Sequence, residues 1–358
     1  MTIGRSNEGP QPGRGAAWRV ARSAGRAVLG LAVVASGGWG VLALAVSGPP
    51  SPTLRIALAA GFGVAALAAL ASLVLRRWRG LALYGMAFAA ALAWYFNLAP
   101  SNDRDWVTEN AVLPRATVAG KLITVHNIRN FSYRSETDFT LAYYDKRFDL
   151  DQLVGVDLVA VYWMGPHIAH VMLSFAFAGG DQLAISIEAR KEKGEGYSTI
   201  NGFFRQYELY YVVADERDVI GLRTNVRNDP PEQVYIYPLR GGIDEARRLF
   251  MAYIGQINAL AAKPAFYNSL TTNCTTNIWL HGQVNPQYVP FSWKILASGH
   301  VPEYLHEQGR LAGEEWPFAE LQRHAFANGR AQAAGISADF SRVIRDAGAP
   351  TRIAPRAP

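Results

Sequence analysis

Three charge-free apolar runs stand at the start of this 358-residue chain and limit what it can become. They are 24–48 (AGRAVLGLAVVASGGWGVLALAVSG, uncharged after Arg26), 56–75 (IALAAGFGVAALAALASLVL) and 81–100 (LALYGMAFAAALAWYFNLAP). Each is about 20 residues long, the length a helix needs to cross ~30 Å of hydrocarbon. A buried hairpin of a soluble domain does not need three such runs in succession. A cleavable leader has a shorter apolar core and no such sequel. The sequence therefore predicts a three-span membrane anchor over 24–100, behind an Arg-rich cytoplasmic tail at 1–23.

Charge gives the orientation. Residues 1–100 hold nine arginines, no lysine and one acid, Glu8, while the remainder holds 26 basic and 28 acidic residues. The high pI of 9.4 thus belongs to the anchor, and no nucleic-acid partner is expected for the rest. Arginines before the first run and in RRWRG (76–80) mark cytoplasmic segments, and the uncharged loop GPPSPT (48–53) suits the outside. Trp94, Tyr95 and Phe96 belong at the outer interface. Three crossings from an inside N-terminus put residues 101–358 outside. In a bacterium with two membranes this is a multi-pass inner-membrane protein with a periplasmic domain at 101–345 and a flexible tail at 346–358.

In that domain, strand character runs through 121–128, 154–164, 170–177, 182–190, 206–215 and 232–239, with AGGD (178–181) turning a hairpin. Residues 101–120 read as a linker. Helical spacing appears at 244–263, in 273–283 and across 314–330. Strands first and helices later argue an α+β domain with an antiparallel sheet.

Cys274, in SLTTNCTTNIW, is the only cysteine. In an oxidising compartment a lone thiol is buried and inert, an intermolecular link, or reactive. If 273–283 is a helix, Asn273 is its N-cap and Cys274 its first residue, where free N–H groups and the helix dipole favour a thiolate and lower its pKa. Asn273 or those N–H groups would form an oxyanion hole. A nucleophilic thiol needs a base. Seven residues of helix separate His281 from Cys274, so His281 reads as structural. His170, on a strand face with Met172, Ser174 and Ala176, can project toward a helix N-terminus, and Glu188 on the next strand falls beside 171–173 to orient it. His167 and His170 in HIAH also raise a metal reading, but no acid or third ligand is near and the rings would diverge. No metal or cofactor is expected.

Five segments in order carry a resemblance: NIRNFSYRSETDF (127–139), YWMGPHIAHVMLSFAF (162–177), SIEARKEKGEGYS (186–198), FRQYELYYVVADERD (204–218) and FYNSLTTNCTTN (266–277). Over roughly 105–345 the chain resembles the Lnb-type N-terminal periplasmic domain family. The resemblance implies a permuted papain/NlpC-like thiol-hydrolase fold, with a histidine on a strand before a cysteine at a helix start. It implies lipoprotein N-acyltransfer, with Cys274 the nucleophile and His170 the base. The partners would be membrane phospholipid and a lipoprotein amine. From the residues themselves, Arg190, Lys191 and Lys193 read first as a solvated charge run and otherwise as contacts for lipid phosphates, and Tyr207 in FRQYELYY would help line the cleft. A cell-wall cysteine peptidase or amidase with the same nucleophile, and a non-catalytic envelope binding module, are the alternatives.

Overall fold

The computed structural model describes residues 13–345, 348 and 350, in two units, 1–99 and 100–358. The expected C-terminal tail falls largely outside the described residues, as does the start of the N-terminal one.

The first unit is three helices: α1 (Gly13–Ser47), α2 (Pro52–Val74) and α3 (Trp78–Phe96). α1 begins eleven residues before the apolar run, so Arg14 to Arg22 are helical and not a free tail. Small residues let the helices approach closely. A Cβ on Gly40 would meet the Phe62 ring at 2.3 Å. Ser36 and Tyr84 join α1 to α3 through their hydroxyls at 2.7 Å. The outward apolar side chains stay uncovered, Leu31 at 70 % and Leu67 at 67 % exposure, as lipid-facing residues would be. Two helices, Ala17–Ser47 and Pro52–Val74, are long and apolar enough to cross a membrane. The third expected span is a helix of 19 residues but falls short on composition, because Arg79, Trp78, Trp94 and Tyr95 lie within it.

The second unit is α+β. Its strands are β1 (Arg115–Ala119), β2 (Leu122–Arg129), β3 (Ser132–Tyr133), β4 (Phe139–Thr140), β5 (Tyr143–Asp149), β6 (Leu153–Tyr162), β7 (Ala169–Phe177), β8 (Gln182–Arg190), β9 (Glu208–Ala214) and β10 (Gln233–Pro238). The main sheet runs β1-β2-β9-β8-β7-β6-β10, with β5 also on β2. All its pairings are antiparallel except the single β2–β9 contact. The expected linker at 101–120 contains β1, whose short alternating RATVA pairs with β2.

The helices are α4 (Glu216–Val219), α5 (Ile243–Ala262), α6 (Cys274–Gly282), α7 (Trp293–Leu296), α8 (Val301–Glu307), α9 (Phe318–Ala325), α10 (Asn328–Ala334) and α11 (Phe340–Val343). The single helix expected across 314–330 is two, divided at Phe326, whose extended backbone bridges to Tyr235 of β10.

The central strands β6 to β9 are buried on both faces, which is why they read as unbroken apolar runs. Val171, Leu173 and Phe175 pack with α5 and α6. Met172 on the other face packs with Val219, Ala331 and Phe340, from α4, α10 and α11. Buried acids on that second face, Asp157 and Glu216, share the guanidinium of Arg345 at 2.7 and 2.6 Å.

Candidate active site

α6 starts at Cys274 because Asn273 stops the chain from extending the helix backwards. Its Oδ1 accepts from the Thr276 N–H at 2.9 Å, and the Thr276 hydroxyl accepts from the Asn273 N–H at 2.9 Å, which closes a capping box. The Asn273 side-chain amide donates to the Ser269 carbonyl at 2.8 Å. Asn273 is therefore engaged as a cap at both ends of its side chain, which ties down the group expected to serve as an oxyanion donor.

The backbone supplies such donors instead. First-turn N–H groups have no acceptor inside their own helix, and those of Cys274 and Thr275 favour the thiolate. So does the N–H of Val171. β7 and β8 stop pairing beyond Met172–Ser186, which opens the β8 side of β7 at this point. The half-buried thiol packs against the core on the side where α6 meets β7 and β8.

Burial pushes the Cys274 thiol up, and the three N–H groups do not offset it. The expected depressed thiol is overturned. The helix start does attract an anion, but removal of the thiolate from water costs more than those donors return.

On the other face, His170 Nε2 lies 2.6 Å from the Ser186 hydroxyl. Ser186 donates to Glu188 Oε1 at 2.8 Å, because a carboxylate only accepts. Ser186 must then accept from His170, which places the ring proton on Nε2 and leaves the lone pair on Nδ1. Glu188 Oε1 is also 3.6 Å from His170 Nε2 and 3.4 Å from Arg223. Arg223 continues to Glu232 at 3.2 Å, and Glu232 to Arg227 at 2.9 Å. Burial and then the Arg223 charge hold His170 down at about 4, against the pull of Glu188. Burial works to raise Glu188, but His170, Arg223 and the Ser186 hydrogen bond hold its carboxyl at about 2. At neutral pH the histidine is a neutral base with an ionised carboxylate behind it.

The sequence pairs His170 with Glu188 and the structure joins them, through a serine it did not single out. Glu188 faces His170 itself, slightly beyond the expected 171–173. The direction of the ring differs more. α6 lies on the Val171–Leu173 face, and the His170 ring turns to the Met172 face. Among the described residues no hydrogen bond joins Cys274 to His170. The thiol and the imidazole lie on the two sides of β7. His167 turns away from both and pairs with His300 at 2.8 Å, so the two histidines of HIAH share no partner.

The expected substrate residues are engaged elsewhere. Arg190 is 1 % exposed. It donates to the Asn110 and Ala111 carbonyls at 2.9 Å each and lies over the Trp106 ring at 4.1 Å. Lys193 pairs with Asp105 at 2.6 Å and Lys191 approaches Glu109 at 4.0 Å. All three reach the segment before β1; Arg190 is closed to the phosphate expected of it, while Lys193 pairs with Asp105 at the exposed surface. Tyr207 is fully buried, its hydroxyl donating to the Gly196 carbonyl at 2.6 Å. It braces the loop after β8 and does not line a cleft. His281 is held by Tyr211 at 2.7 Å, in the structural place expected for it.

Residues 140–299 match the family model described as the Lnb N-terminal periplasmic domain. The match takes in His170, Ser186, Glu188 and Cys274, and leaves out the resembling motif at 127–139. No curated protein and no solved structure matches the chain.

Proposed function

Because residues 140–299 belong to the Lnb N-terminal periplasmic domain family, we propose that this chain is a membrane-anchored periplasmic thiol acyltransferase. It moves an acyl chain from a phospholipid ester to the N-terminal amine of a lipoprotein through a thioester on Cys274. On this reading the domain is a permuted relative of the papain and NlpC hydrolases.

The observation that carries the proposal is a half-buried cysteine at the first position of a capped helix, packed against the strand that carries a histidine whose tautomer is fixed. The resting pair is neutral and lies on the two sides of β7, so the reading requires the His170 side chain to swing to the thiol, or a water to bridge them, for the proton to pass to Nδ1 as the sulfur attacks the ester carbonyl. The N–H groups at the start of α6 stabilise the oxyanion. Collapse expels the lysophospholipid alkoxide, which takes the proton from Nδ1 and leaves the thioester. The incoming amine attacks that carbonyl and gives its proton to Nδ1. The amide forms, and the thiolate leaves and recovers the proton.

The anchor fits this role. With an inside N-terminus, only an odd number of crossings sets the domain outside. The reading therefore takes α3 as a third span, its 19 residues covering about 28 Å.

Intact mass of the full chain in phospholipid nanodiscs tests the reaction. Wild type should gain one acyl mass that neutral hydroxylamine removes, and Cys274→Ala should gain none. Cys274-dependent cleavage of a cell-wall peptide, with no acyl adduct, would establish the hydrolase instead.

A further inference from the structure

An apolar cavity of about 160 Å³ lies beneath α6, walled by β6, β7, α5 and α8. Val156 and Leu158 of β6, Leu173 of β7, Leu249 of α5 and Val301 of α8 line it, and α6 contributes Thr275 and Ile278. Thr275 follows Cys274 in the chain. Ile278 lies one turn on, at the i+4 position that shares the cysteine's helix face. Leu173 lies two residues beyond Val171 on the same strand face. Three of its lining residues, on α6 and β7, therefore lie close in the chain to Cys274 or on the strand it packs against.

It is a pocket open to solvent rather than a sealed void, and its mostly apolar lining sets it apart from the close-packed core around it. Arg240, Glu245, Asn285, Gln287 and Arg310 also border it and give water polar partners on their side, so the apolar part is the part that favours an alkyl chain. Thr275 is the polar side chain nearest the thiol, and its hydroxyl already donates to the Ile295 carbonyl at 2.6 Å. An engineered dry cavity of about 150 Å³ in another protein holds a six-carbon ring. The space here suits about six carbons of an unbranched alkyl chain.

We propose that this cavity is an alkyl subsite that receives the first part of the chain carried on Cys274. The proposal rests on the acyl-transfer reading for its ligand, but its geometry is independent of any reaction. It accounts for the apolar face of α5, of which Ile243, Ala246 and Leu249 reach the cavity. It also gives the site a ruler, since an acyl group too short to fill the cavity loses the contacts that hold its carbonyl against the N–H groups.

The test labels Cys274 with alkyl methanethiosulfonates from methyl to octyl, on the full chain in nanodiscs. The thiolate displaces methanesulfinate and forms a mixed disulfide, so no acyl transfer is needed. The rate should climb two- to fourfold per methylene, following the burial of each group, and level off near six carbons. Ala246→Phe places a ring in the pocket, and it should flatten that climb while the methyl reagent reacts at the wild-type rate. Partition into lipid is common to both proteins and cancels in their ratio. Saturating n-hexanol should slow the hexyl reagent and spare the methyl one, which gives a readout without any substitution. Equal slopes in wild type and a folded Ala246→Phe, or no protection by hexanol, would overturn the subsite. A thioester without the slope removes the subsite alone, and the slope without a thioester removes the acyl-transfer reading and leaves the pocket.

Discussion

His170 holds Ser186 at 2.6 Å on the face of the sheet opposite to the helix that carries Cys274. The contact decides which ring nitrogen is free. Ser186 is fully buried and donates its hydroxyl hydrogen bond to an ionised Glu188, so Nε2 must donate and Nδ1 is the base. Ser186 is thus a positioning residue between the base and its carboxylate.

Removal of that hydroxyl should release the tautomer without touching the thiol. Ser186→Ala is expected to lower the rate of thioester formation on the order of 10²-fold, the lower range for loss of a well-placed acid–base group. KM should change little, and Ser186→Thr should restore part of the rate. A fall in KM and stability alone, with no rescue by threonine, would assign Ser186 to packing.

The neutral pair sets the reactivity of the thiol. Since burial raises Cys274, iodoacetamide alkylation of the folded protein should be slow at pH 6 and still climbing past pH 9. A plateau below pH 7 would mean a resting thiolate and would overturn the neutral pair. Activity should persist well below pH 6, because His170 stays unprotonated down to about 4.

The same histidine links stability to acid. An unfolded histidine binds its proton near pH 6.5, whereas folded His170 resists protonation until about 4. The unfolded chain therefore takes up more protons as the pH falls. The contribution is fully present above pH 6.5 and is lost between there and pH 4, about 3 kcal/mol at most. His281, also lowered to about 4 by burial, acts in the same direction. Unfolding midpoints followed by tryptophan fluorescence should fall across this window, and less steeply in His281→Gln. A flat profile would contradict both histidines.

Much of the domain was legible because local pattern and tertiary context agree. The hairpin β7–β8 announces itself by its Gly-Gly turn, and Asn273 announces α6 by its capping chemistry. What escaped depends on contacts distant in sequence. β7 is apolar on both faces, so alternation did not say which face α6 would cover, and His170 was turned toward the wrong one. Ser186 shares a strand face with Glu188, two residues on, and that spacing was a usable signal. Arg223 lies in an irregular π-helical turn at Leu222–Val226 and had no periodic signal at all. The thiol pKa was misjudged because a sequence displays a helix start but not the depth of its burial.

Arg190 shows how a charge run misleads. Its guanidinium is buried against Trp106 and two carbonyls, so Arg190→Ala leaves those acceptors unsatisfied. The expected cost is about 2–4 kcal/mol of domain stability, with KM for phospholipid unchanged in the folded fraction. A weaker KM with normal stability would return Arg190 to the phosphate.

The number of crossings decides the compartment. α1 and α2 qualify as spans by length and composition. Two crossings would leave residues 100–358 on the same side as the N-terminus, so the periplasmic assignment depends on α3. Arg77, between α2 and α3, and Asp103, after α3, are both exposed and lie on opposite sides only if α3 crosses. In a Cys274→Ala background, Asp103→Cys should react with an impermeant maleimide in intact spheroplasts, while Arg77→Cys should react only after lysis. Ser51→Cys, in the loop between α1 and α2, should label with Asp103→Cys. If Asp103→Cys labels only after lysis, α3 does not cross, and an acyltransferase acting on exported lipoproteins could not meet its substrate.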